Sequence, residues 1–229
     1  LIAAELLCSG KNSRQAMFGG ITGIQPTEVV IIGAGTVGEY ATRAALGLGA
    51  TVKVFDQSMY KLRRLQNDIG VRLNTCTMHP ESLAAALKTC DVAIGAVRSN
   101  TGRSPCLVSE DMVLNMKHGS VIVDVSIDQG GCFETSKATT HDHPTYIVDG
   151  VVHYCVANMP GGVARTATMA LNNATLPYAI ALANDPVNAL FTNSNLQNGL
   201  NVHKGSVTYK AVADALGYTY VPADEALKA

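Results

Sequence analysis

The chain reads as an α/β protein built on a doubly wound parallel sheet, followed by helices that belong to a second domain. Two observations carry that expectation. Residues 29–38, Val-Val-Ile-Ile-Gly-Ala-Gly-Thr-Val-Gly, run four β-formers into a Gly-x-Gly-x-x-Gly turn. Beyond them, strand-like and helix-like segments alternate for more than a hundred residues, the pattern of successive βα units.

In such a turn each glycine has its own task. Gly33 permits the tight bend, Gly35 lets the backbone approach a pyrophosphate, and Gly38 lets the next helix pack closely on the strand. The helix that follows, over residues 36–48 with small Ala41, Ala44 and Ala45 and a stop at Gly49, points its free N–H groups and positive dipole end at an anion. Gly33, Gly35, Thr36, Val37 and Gly38 are therefore the candidate phosphate cradle of a Rossmann-type fold. Residues 51–55 form the second strand and end on Asp56, 18 residues past Gly38, where a carboxylate accepts hydrogen bonds from the adenosine ribose. An N-cap or turn role after a strand is the competing reading of Asp56. Gln57 and Ser58 offer no cation to a 2′-phosphate, so NAD is favoured over NADP.

The alternation continues with an amphipathic helix over 61–68, a short strand over 71–74, and a helix over 80–88 opened by Pro80. Residues 91–97 are a near-continuous apolar strand, as burial on both faces requires. A polar loop over 99–105 with Gly102 and Arg103 follows, then a helix over 109–116 and a strand over 120–126. Residues 146–148 and 153–156 read as the last strands, with helices over 165–184 and 206–216.

Length and composition suit a globular protein: 229 residues, 47% hydrophobic and 15% charged, hold one large or two modest domains. A net charge of −1 with scattered basic residues gives no footprint for nucleic acid or a membrane surface. No apolar run approaches a membrane span or a signal peptide, so the cytoplasm is expected. Six cysteines fall singly, which favours free thiols over disulfides or zinc. His141 and His143 flank Asp142 without further ligands at metal spacing and read as turn residues; no metal is expected. Leu1 opens the chain without a methionine inside a helix-like run, which reads as a truncated molecule.

Two loops after strands stand out. Ile127-Asp128-Gln129-Gly130-Gly131-Cys132 sets a carboxylate at the end of a central strand, and Val156-Ala157-Asn158-Met159-Pro160-Gly161 sets an amide and a thioether after the last. Both open onto one crevice, although ordinary turn chemistry explains Asp and Asn near glycine equally well. These loops, with Gly33-Ala34-Gly35-Thr36-Val37-Gly38, Asp124-Val125-Ser126, Phe133-Glu134, Asp142-His143-Pro144-Thr145 and Tyr154-Cys155, resemble the alanine dehydrogenase family essentially throughout the chain. That family's N-terminal segment, which builds most of the substrate domain and supplies an arginine, a lysine and a histidine, has no counterpart here.

The resemblance implies an NAD-dependent, reversible oxidative deamination of L-alanine to pyruvate and ammonia. It implies that Asp128 is the catalytic carboxylate beside the nicotinamide, that Asn158 and Met159 line that end of the pocket, and that Val97, Ser126 and Ile127 bring strand ends to the cofactor. It leaves Arg103 in a loop whose wording departs from the family pattern, and it implies a homo-oligomer, often a hexamer. The domain division expected is an NAD-binding domain over 10–158, with 1–9 and 159–229 contributing helices to the substrate domain. The alternatives are the NAD-binding module of a proton-translocating transhydrogenase, whose mobile Arg-Gln-Asp loop is absent, and a non-catalytic NAD-binding fragment.

Overall fold

The computed structural model describes residues 1–10, 12–99 and 102–228 and divides into two compact units, Leu1–Met159 and Pro160–Ala229. The first unit runs α1 (Ile2–Cys8), β1 (Glu28–Ile32), α2 (Thr36–Gly47), β2 (Thr51–Asp56), α3 (Met59–Ile69), β3 (Asn74–Thr77), α4 (Pro80–Thr89), β4 (Val92–Gly95), α5 (Glu110–Leu114), β5 (Val121–Asp124), a 3-10 turn (Val125–Gln129), β6 (Thr145–Val148) and β7 (Val151–Tyr154). Its sheet has the order β3-β2-β1-β4-β5-β7-β6, so successive crossovers lead outward on opposite sides of β1. The strand order reverses between β1 and β4, where an open α/β sheet leaves a crevice at its carboxyl edge.

Alternate residues of each strand enter different cores. Val29 and Ile31 join Val52, Val54, Val92, Val121 and Val123 beneath Leu7 of α1, Ala45 of α2, and Leu62 and Leu65 of α3. Val30 and Ile32 join Phe55, Ala93 and Ile122 beneath Leu83 and Leu87 of α4 and Val113 of α5. Burial on both faces explains the unbroken apolar wording of β1 and β4. Residues 1–9, expected with the substrate domain, place Ala3 and Leu7 in the first of these cores.

Three expectations are corrected. The third strand occupies Asn74–Thr77 rather than 71–74: Gly70 ends α3 at φ 75, Val71 is exposed, and pairing starts at Lys53 with Asn74. The sheet is not wholly parallel, because β6 lies antiparallel to β7 across a tight Asp149-Gly150 turn with φ 50 and 76, the conformation of a type I′ hairpin. In the second unit, the helix expected over 206–216 begins only at Lys210. Before it, β8 (Val202–His203) and β9 (Ser206–Val207) form another hairpin through Lys204-Gly205, both at positive φ. Of the expected polar loop over 99–105, residues 100 and 101 lie outside the described residues.

A 3-10 turn (Met159–Val163) begins on the last residue of the first unit, and the second unit then runs through α6 (Ala164–Asn184), α7 (Pro186–Thr192), α8 (Ser194–Asn198), the hairpin, α9 (Lys210–Leu216) and α10 (Ala223–Ala226). The 21 residues of α6 include no buried one, and Met169, Leu171, Leu176 and Ile180 are exposed. No helix among the described residues is long and apolar enough to cross a membrane. All six cysteines are free, with Cys90, Cys132 and Cys155 buried.

His153 on β7 is fully buried. Its Nδ1 donates to the Val151 carbonyl at 3.0 Å, so its Nε2 accepts from the Thr135 hydroxyl at 2.8 Å, and Tyr146 stacks on the ring. Burial pushes its pKa below the ordinary 6.5. The unfolded chain then binds the extra proton first, so stability is complete above about pH 6.5 and is lost as pH falls toward the folded value. Melting curves between pH 7.5 and 5 are expected to show a decline in Tm that His153→Gln flattens.

Candidate functional site

The carboxyl edge of β1 and β2 forms the adenosine end of a crevice. Gly33 adopts φ +111, and a Cβ there would strike the Ala96 carbonyl; one on Gly38 would strike the Gly33 carbonyl. Both glycines are therefore required by the protein's own packing. Gly35 differs. Its φ is −80, and a Cβ would meet nothing within 4 Å, so the fold itself does not demand a glycine. It leaves a bare backbone at the N-terminus of α2, where among the described residues no side-chain cap hydrogen bond is made at the N-cap. An anion fits that cradle.

Asp56 is buried, and its carboxylate organises the turn. Oδ2 accepts from the Ala34 N–H at 2.8 Å and Oδ1 from the Ser58 N–H at 2.7 Å, which leaves lone pairs on both oxygens facing a cleft of about 350 Å³. Gly33, Gly35, Lys61, Met78, Arg98 and Leu107 also line this cleft. Asp56→Asn puts an amide donor opposite an N–H. It is expected to cost about 1–3 kcal/mol of stability and to weaken NADH binding together with it, as thermal melts and a titration will show.

A second cleft of about 180 Å³ lies across the switch point, lined by Val37, Ala96, Val97, Arg98, Val125, Ser126, Asp128 and Gln129. Ala96, Val97 and Arg98 line both clefts. Ser126 is buried, and its hydroxyl donates to the Val97 carbonyl at 2.9 Å and accepts from the Val97 N–H at 3.0 Å. It brackets the ends of β4 and β5 together and sets the wall between the two spaces.

Asp128 is exposed at the far end, and its Oδ1 accepts from the Asn158 N–H at 3.2 Å. The loop that presents it is fixed by buried Asp124. One oxygen of Asp124 accepts from the Ser126 N–H at 3.0 Å; the other accepts from the Cys132 N–H at 2.8 Å and the Ser136 hydroxyl at 2.6 Å. Gly131, at φ +81, lies against that carboxylate with no room for a Cβ.

The structure thus brings Gly33, Gly35, Val37, Asp56, Val97, Ser126 and Asp128 to the clefts, with Asn158 hydrogen-bonded to Asp128. Thr36 is exposed at the start of α2 and Gly38 is buried beneath it. Ile127 is buried, and Met159 packs against the apolar core of the first unit. Arg103 is exposed and lines neither cleft; Arg98, the basic residue just beyond β4, lines both. Arg98 could have been found from its place past a strand end, and Lys61 from its place five residues after Asp56 in the first turn of α3. Among the described residues, no cluster of His, Cys, Asp or Glu is arranged to hold a metal ion.

An elongated ligand with phosphates at its middle and a ribose toward Asp56 matches this order of features, which defines a nicotinamide-dinucleotide-binding domain of the Rossmann type. A family model described as "Alanine dehydrogenase/PNT, C-terminal domain" matches residues 1–210. The chain belongs to that family, and NAD is the cofactor that family and fold imply.

Similar proteins include the alanine dehydrogenase of Halomonas elongata, 53% identical over 205 residues, which are 89% of this chain and 55% of that protein. Alanine dehydrogenase 2 of Staphylococcus aureus (strain USA300) is 48% identical over 229 residues, 99% of this chain and 62% of that one. A solved L-alanine dehydrogenase superposes with a TM-score of 0.87 at 44% identity, over 94% of this chain and 60% of that chain. The transhydrogenase from Sinorhizobium meliloti, at TM-score 0.67 and 23% identity over 92% of this chain and 57% of that one, shares the fold. The chain spans between 55% and 62% of the length of the two curated relatives described.

Proposed function

We propose that this chain is the cofactor-binding part of an alanine dehydrogenase that converts L-alanine reversibly to pyruvate and ammonia. The observation that carries the reading is the exposed Asp128 carboxylate, held by the Asn158 N–H at the opposite end of the crevice from Asp56. The names of the relatives supply the substrate, and 44% identity to the solved L-alanine dehydrogenase against 23% to the transhydrogenase favours the amino-acid reaction.

In this reading the cradle of Gly33, Gly35, Thr36, Val37 and Gly38 binds pyrophosphate and Asp56 binds ribose. Val97, Ser126, Ile127, Asp128, Asn158 and Met159 surround the nicotinamide. NAD, when bound, supplies the acceptor for the hydride that leaves the alanine Cα. Asp128 stabilises the cationic imine left behind and takes a proton from the water that adds to it, after which ammonia departs. Residues 10–158 form the NAD-binding domain and 159–229 contribute to the substrate domain. We place the protein in the cytoplasm, where thiols stay reduced, and assign it a homo-oligomeric, hexameric state; the exposed apolar residues of α6 support association.

The test is L-alanine-dependent reduction of NAD by this chain alone and by the chain joined to the preceding segment of the Halomonas elongata relative. Turnover in the joined protein is expected. A joined protein that binds NADH yet leaves L-alanine, pyruvate and ammonia untouched would refute the assignment.

A further inference from the structure

We propose that His141 is a positioning residue that locks the backbone of Asn158 in the conformation from which its N–H holds Asp128. The inference rests on the reading above that Asp128 faces the nicotinamide. His141 is exposed, as a lone histidine in a turn ordinarily is, and three observations give it a further role. The His141 Nε2 lies 3.0 Å from the Asn158 carbonyl; a carbonyl only accepts, so Nε2 carries the proton. The Asn158 N–H donates in turn to Asp128 Oδ1. Between these two bonds Asn158 has φ +54, the left-handed region that Asn tolerates better than most residues but still occupies at a cost.

The base from which His141 reaches is itself anchored. The Thr139 N–H donates to the Cys155 carbonyl at 2.9 Å and the Ala157 N–H to the Thr139 carbonyl at 3.1 Å. The Thr139 hydroxyl donates to the Pro144 carbonyl at 3.0 Å. Residues 139–144 therefore form a short strap pinned to the chain leaving β7, and His141 extends from it to the carbonyl of Asn158, the residue whose N–H reaches Asp128. If Asn158 left the left-handed region, its N–H and C=O would both turn from their partners, so His141 resists that motion. It is not part of a proton wire, because the N–H and C=O of Asn158 belong to different peptide groups. Its effect is to keep one N–H donor on the Asp128 carboxylate, which fixes its direction.

The consequence is selective. An aligned, ionised Asp128 favours the cationic ring of NAD, and has no such effect on ADP-ribose, which lacks the ring. The experiment compares wild type, His141→Ala and His141→Gln, whose amide can donate from a similar position. Amide hydrogen exchange at Asn158 is read without ligand, and affinities for NAD and ADP-ribose are read by calorimetry. Expected for His141→Ala are exchange at Asn158 faster by about tenfold, NAD binding weaker by about fivefold and ADP-ribose unchanged, with both effects reversed in His141→Gln.

Unchanged exchange at Asn158, or equal losses for NAD and ADP-ribose, would overturn the proposal. Faster exchange with unchanged NAD affinity would overturn it too, and Asp128→Ala then locates the fault. If that variant also leaves NAD binding unaltered, the placement of the nicotinamide has failed; if it weakens NAD binding, only the role of His141 has failed.

Discussion

Asp128→Asn, made in the chain joined to a relative's preceding segment, is expected to lower alanine turnover by about 10²–10⁴-fold, the range lost with a general acid–base or charge-stabilising group. NADH affinity changes little, because the reduced ring is neutral and the amide keeps an acceptor for the Asn158 N–H. The side chain is exposed and, among the described residues, accepts one hydrogen bond, from the Asn158 N–H, so the melting temperature stays near wild type. Steady-state kinetics with a parallel NADH titration separate these effects. Surviving turnover would mean that the reacting carboxylate lies elsewhere.

The three glycines of the turn are expected to separate just as sharply. Gly38→Ala drives a methyl into the Gly33 carbonyl, a backbone atom that cannot move without displacing β1. It is expected to cost about 3 kcal/mol or more of stability and to abolish NADH binding as a result. Gly35→Val leaves the fold intact, since its φ suits any residue and its Cβ points into open space. It nevertheless fills the cradle, so NADH binding weakens by at least about tenfold at nearly unchanged Tm. Denaturation and titration on the two variants give the comparison; a Gly35→Val chain that binds NADH normally would remove the phosphates from the α2 N-terminus.

The parts of the fold legible in the sequence are those where one physical cause dominates. The glycine turn, the doubly buried strands β1 and β4 and the acid closing β2 follow from steric and burial demands that few other residues meet. The Asp149-Gly150 and Lys204-Gly205 hairpins were legible in principle, since each joins a positive-φ residue to glycine between short strands. Helical wording in residues 206–216 and the parallel expectation for the sheet masked them. β3 was displaced because Val71 is apolar yet exposed, and pairing with β2 rather than hydropathy sets where that strand begins.

In the candidate site, the strand end pointed to Asp56 and the family resemblance to Asp128, and both line the clefts. Their connections could not be read. That Asp56 ties down the Ala34 N–H, that Ser126 closes on Val97, that Asp124 clamps both ends of the Asp128 loop, and that His141 reaches Asn158 all depend on segments 17 to 29 residues apart or on a buried turn. Such contacts are products of topology. Ile127, implied at the cofactor by the resemblance, is buried, and Met159, implied at the nicotinamide end, is partly buried against the first unit's apolar core; neither placement could be read from the sequence.

The most direct measurement is a fluorescence titration of the purified chain with NADH, with ADP-ribose as competitor and Gly35→Val as control. Saturable binding that ADP-ribose displaces and Gly35→Val weakens is the expected result. A folded chain, verified by a cooperative melt, that binds neither ligand would contradict the assignment of this crevice to a nicotinamide dinucleotide.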